Sequence, residues 1–279
     1  MVQPSLSHHM DPEPDRWTLP DWPSTLEWCQ KRNEQGIRCI IDVLGEYAST
    51  KEAADTAMAA YLDCIKQIHR NKMKASISIK LSALGAMFDP DLCRKNALGL
   101  AKEALCQDVG FEIDMEGKQS IDLTIKVTKE CAVAGLTVTM ALQAYLKRTL
   151  DDLDNLQSQE NVRFRLVKGA YVGDDFSFHT TSESYKLLVE ALTYLNRPYS
   201  VATHDPEILD WMMFSGMVDT RKTEFSFLKG LADETKLAFI KKGLIVSEYV
   251  PFGKGSGPYI ARRMKYLRDL EQQKKSTAP

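Results

Sequence analysis

Short β-branched runs alternate with longer amphipathic stretches from residue 36 to near the end of this chain. Such alternation predicts strands and helices joined in parallel βαβ units with right-handed crossovers. The predicted strands are 38–43, 76–81, 110–115, 136–142, 163–167, 199–203, 223–228 and 244–250. The predicted helices are 51–70, 90–106, 118–134, 145–157, 181–195, 205–217, 231–242 and 257–272.

Eight such units are typical of a closed (β/α)8 barrel, which takes about 250 residues. An open doubly wound sheet that binds a dinucleotide is disfavoured, because no G-x-G-x-x-G follows the first predicted strand. The sequence therefore predicts a catalytic barrel over 36–272, a lead-in over 1–35 that is partly disordered or a short helix, and a flexible tail over 273–279. Prolines and charges are frequent in residues 1–24, so we expect that segment to be poorly ordered or loosely packed.

The composition excludes several classes of protein. A net charge of −2 argues against nucleic acid as the main partner. No apolar run is long enough to cross a bilayer, and residues 1–20 have the features of neither a signal peptide nor an Arg-rich transit peptide. We therefore expect a cytoplasmic protein. The six cysteines include no Cys-x-x-Cys pair and have no His at ligand spacing, which predicts reduced thiols and no metal site.

Catalytic groups of such barrels lie at the C-terminal ends of the strands. Most of the predicted strands end in polar or ionisable side chains, namely Glu46, Lys80, Asp114, Gln143, Lys168, His204 and Tyr249. A single Lys or Asp at a strand end is more often a solvated rim residue than a catalyst. The convergence of these groups on one rim is what predicts a functional site.

A second candidate feature lies near the C-terminus, where Tyr259, Arg262 and Arg263 are spaced i, i+3 and i+4. In a helix these three side chains share one face. Adjacent guanidiniums repel each other, and they suit a small anion because Arg binds carboxylate or phosphate in a bidentate manner. Taken alone, the same residues also fit a solvated basic end of a helix.

Five sequence motifs together resemble those of the proline dehydrogenase family. They are R-L-V-K-G-A-Y at 165–171, A-T-H at 202–204, Q-A-Y-L-K-R at 143–148, Y-V-P-F-G at 249–253 and Y-x-x-R-R at 259–263. The resemblance extends from about Glu46 to Arg263. It implies a flavoenzyme on a distorted (β/α)8 barrel whose last helix lies over the barrel mouth. Such an enzyme oxidises L-proline to 1-pyrroline-5-carboxylate by hydride transfer to N5 of FAD.

The resemblance also implies which residues contact FAD, namely Gln143, Arg165, Lys168, Gly169, Ala170, Thr203 and His204. A fixed positive charge at Arg165, near flavin N5, would favour the anionic reduced flavin. For His204 a structural alternative is that it merely precedes a helix capped by Asp205.

On the substrate side, the resemblance implies that Lys80, Arg262 and Arg263 hold the proline carboxylate. Glu46 would pair with Arg262 as a gate, and Asp114 would hydrogen-bond Tyr249. The residues expected to pack on the pyrrolidine ring are Ala170, Tyr171, Leu228, Tyr249 and Tyr259. Because relatives that act on 4-hydroxyproline have serine in place of Tyr249, we expect this chain to prefer proline. No dedicated general base is evident.

The chain departs from the family pattern at four positions. Val172 stands where Trp is common, Ser226 where Gln is common, and Tyr266 and Leu267 where an acid and Asn are common, so we expect altered FAD affinity. The resemblance further implies a monofunctional enzyme without a DNA-binding arm, a separate 1-pyrroline-5-carboxylate dehydrogenase downstream, and a quinone-type electron acceptor. The basic stretch 262–275 would allow weak peripheral contact with a membrane. The sequence does not define the oligomeric state.

Two other functions compete with proline oxidation. One is a Schiff-base aldolase that uses Lys80 or Lys168, which would require a lysine with a lowered pKa. The other is a non-catalytic relative that binds an amino acid or a partner.

Overall fold

The computed structural model describes residues 14–171, 173–174 and 177–276, and only the backbone of residues 14, 15, 266 and 269–276. Eight parallel strands close into a barrel in chain order, with β1 paired to β8. They are β1 (Arg38–Val43), β2 (Ala75–Ile79), β3 (Gly110–Ile113), β4 (Val138–Gln143), β5 (Val162–Val167), β6 (Tyr199–Ala202), β7 (Thr223–Leu228) and β8 (Ile245–Phe252). The predicted (β/α)8 barrel is confirmed.

Helices follow the strands around the barrel. The described helices are α1 (Pro14–Trp17), α2 (Trp22–Glu34), α3 (Lys51–Arg70), α4 (Pro90–Cys106), α5 (Ile121–Val133), α6 (Thr149–Leu156), α7 (Phe178–Tyr194), α8 (Pro206–Phe214), α9 (Asp233–Lys241) and α10 (Gly257–Ser276). Several begin at the caps that their sequences indicate. The side chain of Thr50 accepts a hydrogen bond from the Ala53 amide, and that of Asp89 accepts one from the Leu92 amide. None of the helices that the structure describes is apolar over a length that could cross a bilayer.

Some predicted boundaries are wrong by a few residues. Strand β2 ends at Ile79, because Lys80 begins a 3₁₀ turn over Leu81–Leu84. Strand β8 continues to Phe252, where Leu19 forms a parallel bridge with it. Helix α6 begins at Thr149 instead of 145, and the residues between β4 and α6 form a turn.

The prediction of loose packing before residue 25 is wrong from Trp17 onward. Trp17, Thr18 and Leu19 are buried. The prediction relied on the proline and charge content of the whole segment and overlooked its two large apolar side chains, Trp17 and Leu19. Helix α2 follows, with Asp21 accepting a hydrogen bond from the Ser24 amide at 3.0 Å. At the other end, α10 runs to Ser276, so helix also covers most of the predicted tail.

The outward face of β8 carries a charge network that we call the outer ion cluster, in which Arg32, Lys236 and Glu248 are buried and Asp233 is half exposed. Arg32 lies 2.8 Å from Asp233 and 3.1 Å from Glu248. Lys236 lies 2.9 Å from Asp233 and also forms an ion pair with Glu248. The Trp28 indole donates a hydrogen bond to Glu248 at 2.6 Å. These contacts fix α2 and α9 against β8.

Candidate active site

A cavity of about 240 Å³ lies at the C-terminal end of the barrel. Every residue that the sequence predicts for the site lies on its wall, with Glu46 as the exception. The predicted residues on the wall are Lys80, Asp114, Gln143, Arg165, Lys168, Gly169, Ala170, Tyr171, Thr203, His204, Leu228, Tyr249, Tyr259, Arg262 and Arg263. Strand ends and the last helix thus meet around one space, as the convergence argument expects.

Helix α10 lies over the mouth of this cavity. Gly253 and Gly255 adopt φ values of +110° and +82°, which side chains rarely tolerate, and they let the chain turn back before the helix begins. Arg262 then forms an ion pair with Glu46 in the loop after β1, with Nη1 3.1 Å from Oε2. The Arg262 guanidinium also lies 4.7 Å from the centre of the Tyr171 ring. Glu46 therefore holds α10 in place from outside the cavity wall.

Beneath α10, inside the barrel, lies a second charge network that we call the inner ion cluster: Asp42, Lys80, Glu112, Asp114 and Arg165. Lys80 Nζ lies 2.5 Å from Asp42 and 3.3 Å from Asp114. Arg165 lies 2.6 Å from Asp114 and 3.0 Å from Glu112. Two cations thus face three carboxylates. The resemblance assigns Lys80, Arg262 and Arg263 to the substrate carboxylate. Because Lys80 is already neutralised by carboxylates of the cluster, it adds no excess positive charge there.

The inner ion cluster fixes protonation states. Burial alone would lower the pKa of Lys80, but Asp42, Tyr249 and Asp114 outweigh it and hold that pKa well above its usual value. Burial alone would raise the pKa of Asp114, but Lys80 and Arg165 hold it below its usual range. Burial, followed by Asp114 and Asp42, raises the pKa of Tyr249. Tyr249 is therefore a phenol at neutral pH, and its OH donates to Asp114 at 2.5 Å.

Lys168, on the far side of the cavity, has local partners. Its Nζ donates to Asp205 at 2.6 Å and to Ser182 at 2.9 Å, and it lies 3.4 Å from the centre of the Phe178 ring. Burial lowers the pKa of Lys168, and Asp205 partly offsets this. Asp205 also caps α8 by accepting from the Glu207 amide at 2.9 Å, as the structural alternative for this motif expects.

His204 is a neutral residue of defined tautomer. The Leu228 amide donates to its Nε2 at 2.9 Å, so the ring carries its proton on Nδ1. Burial lowers the pKa of His204 to about 3, and the charges of Arg263 and Lys236 act in the same direction. His204 is thus both a cavity residue and the acceptor that holds the end of β7.

Tyr145 organises the loop that follows β5. Its OH donates to Gln143 at 2.8 Å and accepts from the Tyr171 amide at 3.1 Å. A methyl group at either Gly169 or Gly173 would collide with the Tyr145 ring, and Gly169 also has a φ of +132°. The glycine of R-L-V-K-G-A-Y is therefore needed for close packing on this ring.

Sequence reasoning missed residues that lie within strands or in the lead-in. Asp42 and Glu112 complete the inner ion cluster, and Trp17 belongs to an apolar cluster with Tyr249 and Tyr259. The signal for Asp42 was available, since it is a carboxylate flanked by apolar residues within a strand whose other charge, Arg38, lies at its exposed start. Among the departures from the family pattern, Ser226 lines the cavity and Leu267 packs on that apolar cluster. Val172 and the Tyr266 side chain lie outside the described residues.

Comparison with known proteins identifies a family. The family described as "Proline dehydrogenase" matches residues 25–268. Proline dehydrogenase 2 of Bacillus subtilis (strain 168) is 29% identical over 251 residues, which are 88% of this chain and 82% of that relative. The proline dehydrogenase of Deinococcus radiodurans is 26% identical over 257 residues, which are 86% of this chain and 81% of that relative.

A solved structure agrees on the fold. Proline utilization A (PutA) from Bdellovibrio bacteriovorus, inactivated by N-propargylglycine, superposes with a TM-score of 0.81 at 18% identity. The match covers 89% of this chain and 32% of that chain, so this protein spans about a third of the length of the PutA chain. With the family match over most of its length, the chain belongs to the proline dehydrogenase family.

Proposed function

We propose that this protein oxidises L-proline to 1-pyrroline-5-carboxylate with FAD, as the first step of proline catabolism. One observation carries the proposal, which is the unmatched charge of Arg263. Its Nε is buried on the cavity wall without a hydrogen-bond partner among the described residues. The other buried or half-buried cations on that wall are matched by carboxylates, in the pairs Lys80–Asp42, Arg165–Asp114, Lys168–Asp205 and Arg262–Glu46. A ligand carboxylate would supply the missing anion.

The rest of the wall suits a small saturated ring. The Tyr249 and Tyr259 rings and Leu228 provide apolar surface beside Arg263. Tyr171 adds a phenol whose buried OH has no partner in the described part of the chain. A water-poor pocket of this kind holds CH₂ groups in a fixed orientation, which is what C–H cleavage requires.

The side of the cavity formed by β4, β5 and β6 fits a flavin. Ala141 and Ala202 are small and leave room for a planar group, and Thr203 and His204 supply neutral polar groups beside it. The Gln143 amide already donates to the Glu116 carbonyl at 3.0 Å and accepts from the Tyr145 OH at 2.8 Å, so we assign it a smaller part than the resemblance implies. Arg165 would place a fixed positive charge next to the planar group. Bound FAD would accept the hydride from the substrate. Because Lys168 already donates to Asp205 and Ser182, we assign it a smaller part in holding FAD than the family resemblance implies.

Lys80 of the inner ion cluster and the neighbouring Tyr249 would orient the substrate and would not remove its proton. Lys80 is held protonated, and the Tyr249 phenol donates to Asp114, so neither is a base at neutral pH. We therefore propose that the proline amine loses its proton to solvent on or before binding. The nitrogen lone pair then drives hydride loss from the neighbouring ring carbon.

The wider setting is also proposed from the family. The electrons would pass to a quinone-type or other acceptor, and a separate 1-pyrroline-5-carboxylate dehydrogenase would consume the product. We place the protein in the cytoplasm, with peripheral membrane contact through the basic stretch 262–275 as a route to the acceptor.

The decisive experiment is the visible spectrum of the purified protein supplied with FAD, followed anaerobically on addition of L-proline. We expect a flavin spectrum that bleaches, with 1-pyrroline-5-carboxylate formed in equal amount. D-proline is the matched control and should bleach it far more slowly. A protein that binds no flavin, or that is trapped on Lys80 or Lys168 by borohydride with a carbonyl substrate, would contradict the proposal and favour an aldolase.

A further inference from the structure

Residues 16–19, which we call the N-terminal strap, lie across the barrel rim next to β8. The Leu19 amide donates to the Pro251 carbonyl at 2.9 Å, and the Gly253 amide donates to the Leu19 carbonyl at 2.9 Å. This pairing adds the strap in parallel to the end of β8. The strap is thus fixed to the segment that leads into α10.

A second attachment joins the strap to the loop after β7. Lys229 Nζ donates to the Arg16 carbonyl at 3.0 Å, and Arg16 Nε donates to the Gly230 carbonyl at 3.2 Å. Gly230 has a φ of +77°, and an added Cβ would lie 2.3 Å from the Arg16 carbonyl oxygen. The glycine therefore allows the strap to lie close against this loop.

Between these two attachments the strap buries Trp17. Its side chain is 3% exposed and forms one apolar cluster with Ile40, Tyr249 and Tyr259, against which Leu228 and residues of α10 pack. Tyr249 and Tyr259 line the cavity, whereas Trp17 does not. The indole therefore stands behind the wall on which the substrate ring would pack. Its Nε1 has no acceptor among the described residues, so the contribution of Trp17 is one of shape.

We propose that Trp17 is a positioning residue, which holds the Tyr249 and Tyr259 rings and α10 in the arrangement that binds substrate. This rests on the proposed function. Removing a large buried side chain leaves a space that its neighbours fill only in part. Both tyrosine rings and the helix that carries Arg262 and Arg263 would then move away from the substrate.

The first test compares Trp17→Ala with Trp17→Phe in steady-state proline oxidation. For Trp17→Ala we expect KM for proline to rise about tenfold with kcat lowered less than about threefold, because a looser α10 weakens binding most. Trp17→Phe keeps a large aromatic ring, although a smaller one, and removes an N–H that has no acceptor among the described residues, so it should stay within about threefold of the parent. If KM for proline rose as much in Trp17→Phe as in Trp17→Ala, the proposal that Trp17 acts through the volume of its side chain would be overturned.

Trp211→Ala is the matched control, because it removes a half-buried indole from α8 that packs on the main core and not on the Trp17 cluster. Both alanine variants should lower the melting temperature, and only Trp17→Ala should raise KM. An equal rise in KM for Trp211→Ala would mean that general loss of stability explains the effect.

A third measurement does not depend on activity. Amide hydrogen exchange over residues 259–267 should be about tenfold faster in Trp17→Ala than in the parent protein. Gly230→Ala, which displaces the strap without altering Trp17, should have the same effect. Unchanged exchange in both variants would overturn the proposal. If the parent protein does not oxidise proline, the proposed function fails, while this measurement still tests the strap.

Discussion

The outer and inner ion clusters lie on opposite faces of β8, where Glu248 points outward and its neighbour Tyr249 points into the barrel. In the outer ion cluster Arg32 and Lys236 both contact Asp233 and Glu248, and two helices cover the network. The inner ion cluster faces a cavity beside Arg263, which forms no ion pair with any carboxylate in the described part of the chain. The comparison teaches that buried charge alone does not mark a functional site, because networks that only hold elements together also bury charge. An unmatched charge beside open space is the more specific sign.

The largest expected effect tests whether the outer ion cluster is purely structural. Lys236→Met leaves Glu248 buried with one cation fewer, and breaking a buried pair costs about 3–5 kcal/mol of unfolding free energy. Urea denaturation should show this loss, whereas KM for proline should change less than about threefold. A large rise in KM at intact stability would remove the distinction between the two clusters.

The next effect tests the unmatched charge. Arg263→Met should lower kcat/KM for proline about 100-fold, because a charged partner of the substrate carboxylate is lost. The free energy of unfolding should fall by less than about 1 kcal/mol. Lys265→Met is the matched control, since Lys265 is an exposed cation on the same helix and the same cavity wall. If both variants behave alike, the cavity attracts anions only through its general field.

A smaller effect concerns substrate choice at the inward face of β8. Tyr249→Ser should raise the ratio of kcat/KM for 4-hydroxyproline to that for proline by about tenfold, because the phenol crowds a ring hydroxyl. Tyr249→Phe keeps the ring and should leave the ratio unchanged. Steady-state assays with both substrates decide the matter, and an unchanged ratio in the serine variant contradicts the steric explanation.

The last effect depends on pH and arises at Leu228, which links the outer ion cluster to the cavity residue His204. Its amide donates to His204, and its carbonyl accepts from Lys236. The folded pKa of His204, about 3, lies below the ordinary value of 6.5. The unfolded chain therefore takes up this proton first, so the stability due to neutral His204 is complete above about pH 6.5 and falls as pH drops towards 3, by at most about 1.4 kcal/mol per pH unit.

His204→Gln offers an amide oxygen to the Leu228 N–H and does not titrate, so its stability should depend less on pH in this range. Unfolding free energies of both proteins at several pH values between 4 and 7 measure the difference. Parallel curves would mean that the folded protein does not lower the pKa of His204.

The fold was largely predictable, because the hydrophobic pattern repeats with a different period in strands and in helices. Eight successive strand–helix units are then compatible with few topologies. The errors occur where tertiary contacts override local pattern. The sequence pattern predicts Lys80 inside β2, but a 3₁₀ turn begins there. It predicts a helix at residue 145, but Tyr145 packs on the loop after β5. It predicts loose packing at Trp17, but Tyr249 and Tyr259, more than 200 positions later in the sequence, pack with Ile40 on its side chain.

The sequence predicted which residues belong to the site better than it predicted which of them form ion pairs and hydrogen bonds with one another. Strand ends and motifs named the residues on the cavity wall, because parallel strands of a barrel bring their ends to one rim. They could not show that Asp42 neutralises Lys80 or that Asp205 and Ser182 occupy Lys168. Such pairings depend on distances between side chains of different elements. No local pattern in a single sequence predicts those distances.

The ion pair between Glu46 and Arg262 has a consequence for synthesis. The two residues are 216 positions apart, so at typical rates of translation roughly 10–40 s separate their appearance. Strands β2 to β8 are added during that interval, and the helix that covers the cavity is made last. A ligand stabilises only the state that it binds, so the proposed FAD and proline could not assist the early part of folding. Binding of either is therefore expected only after α10 has been synthesised.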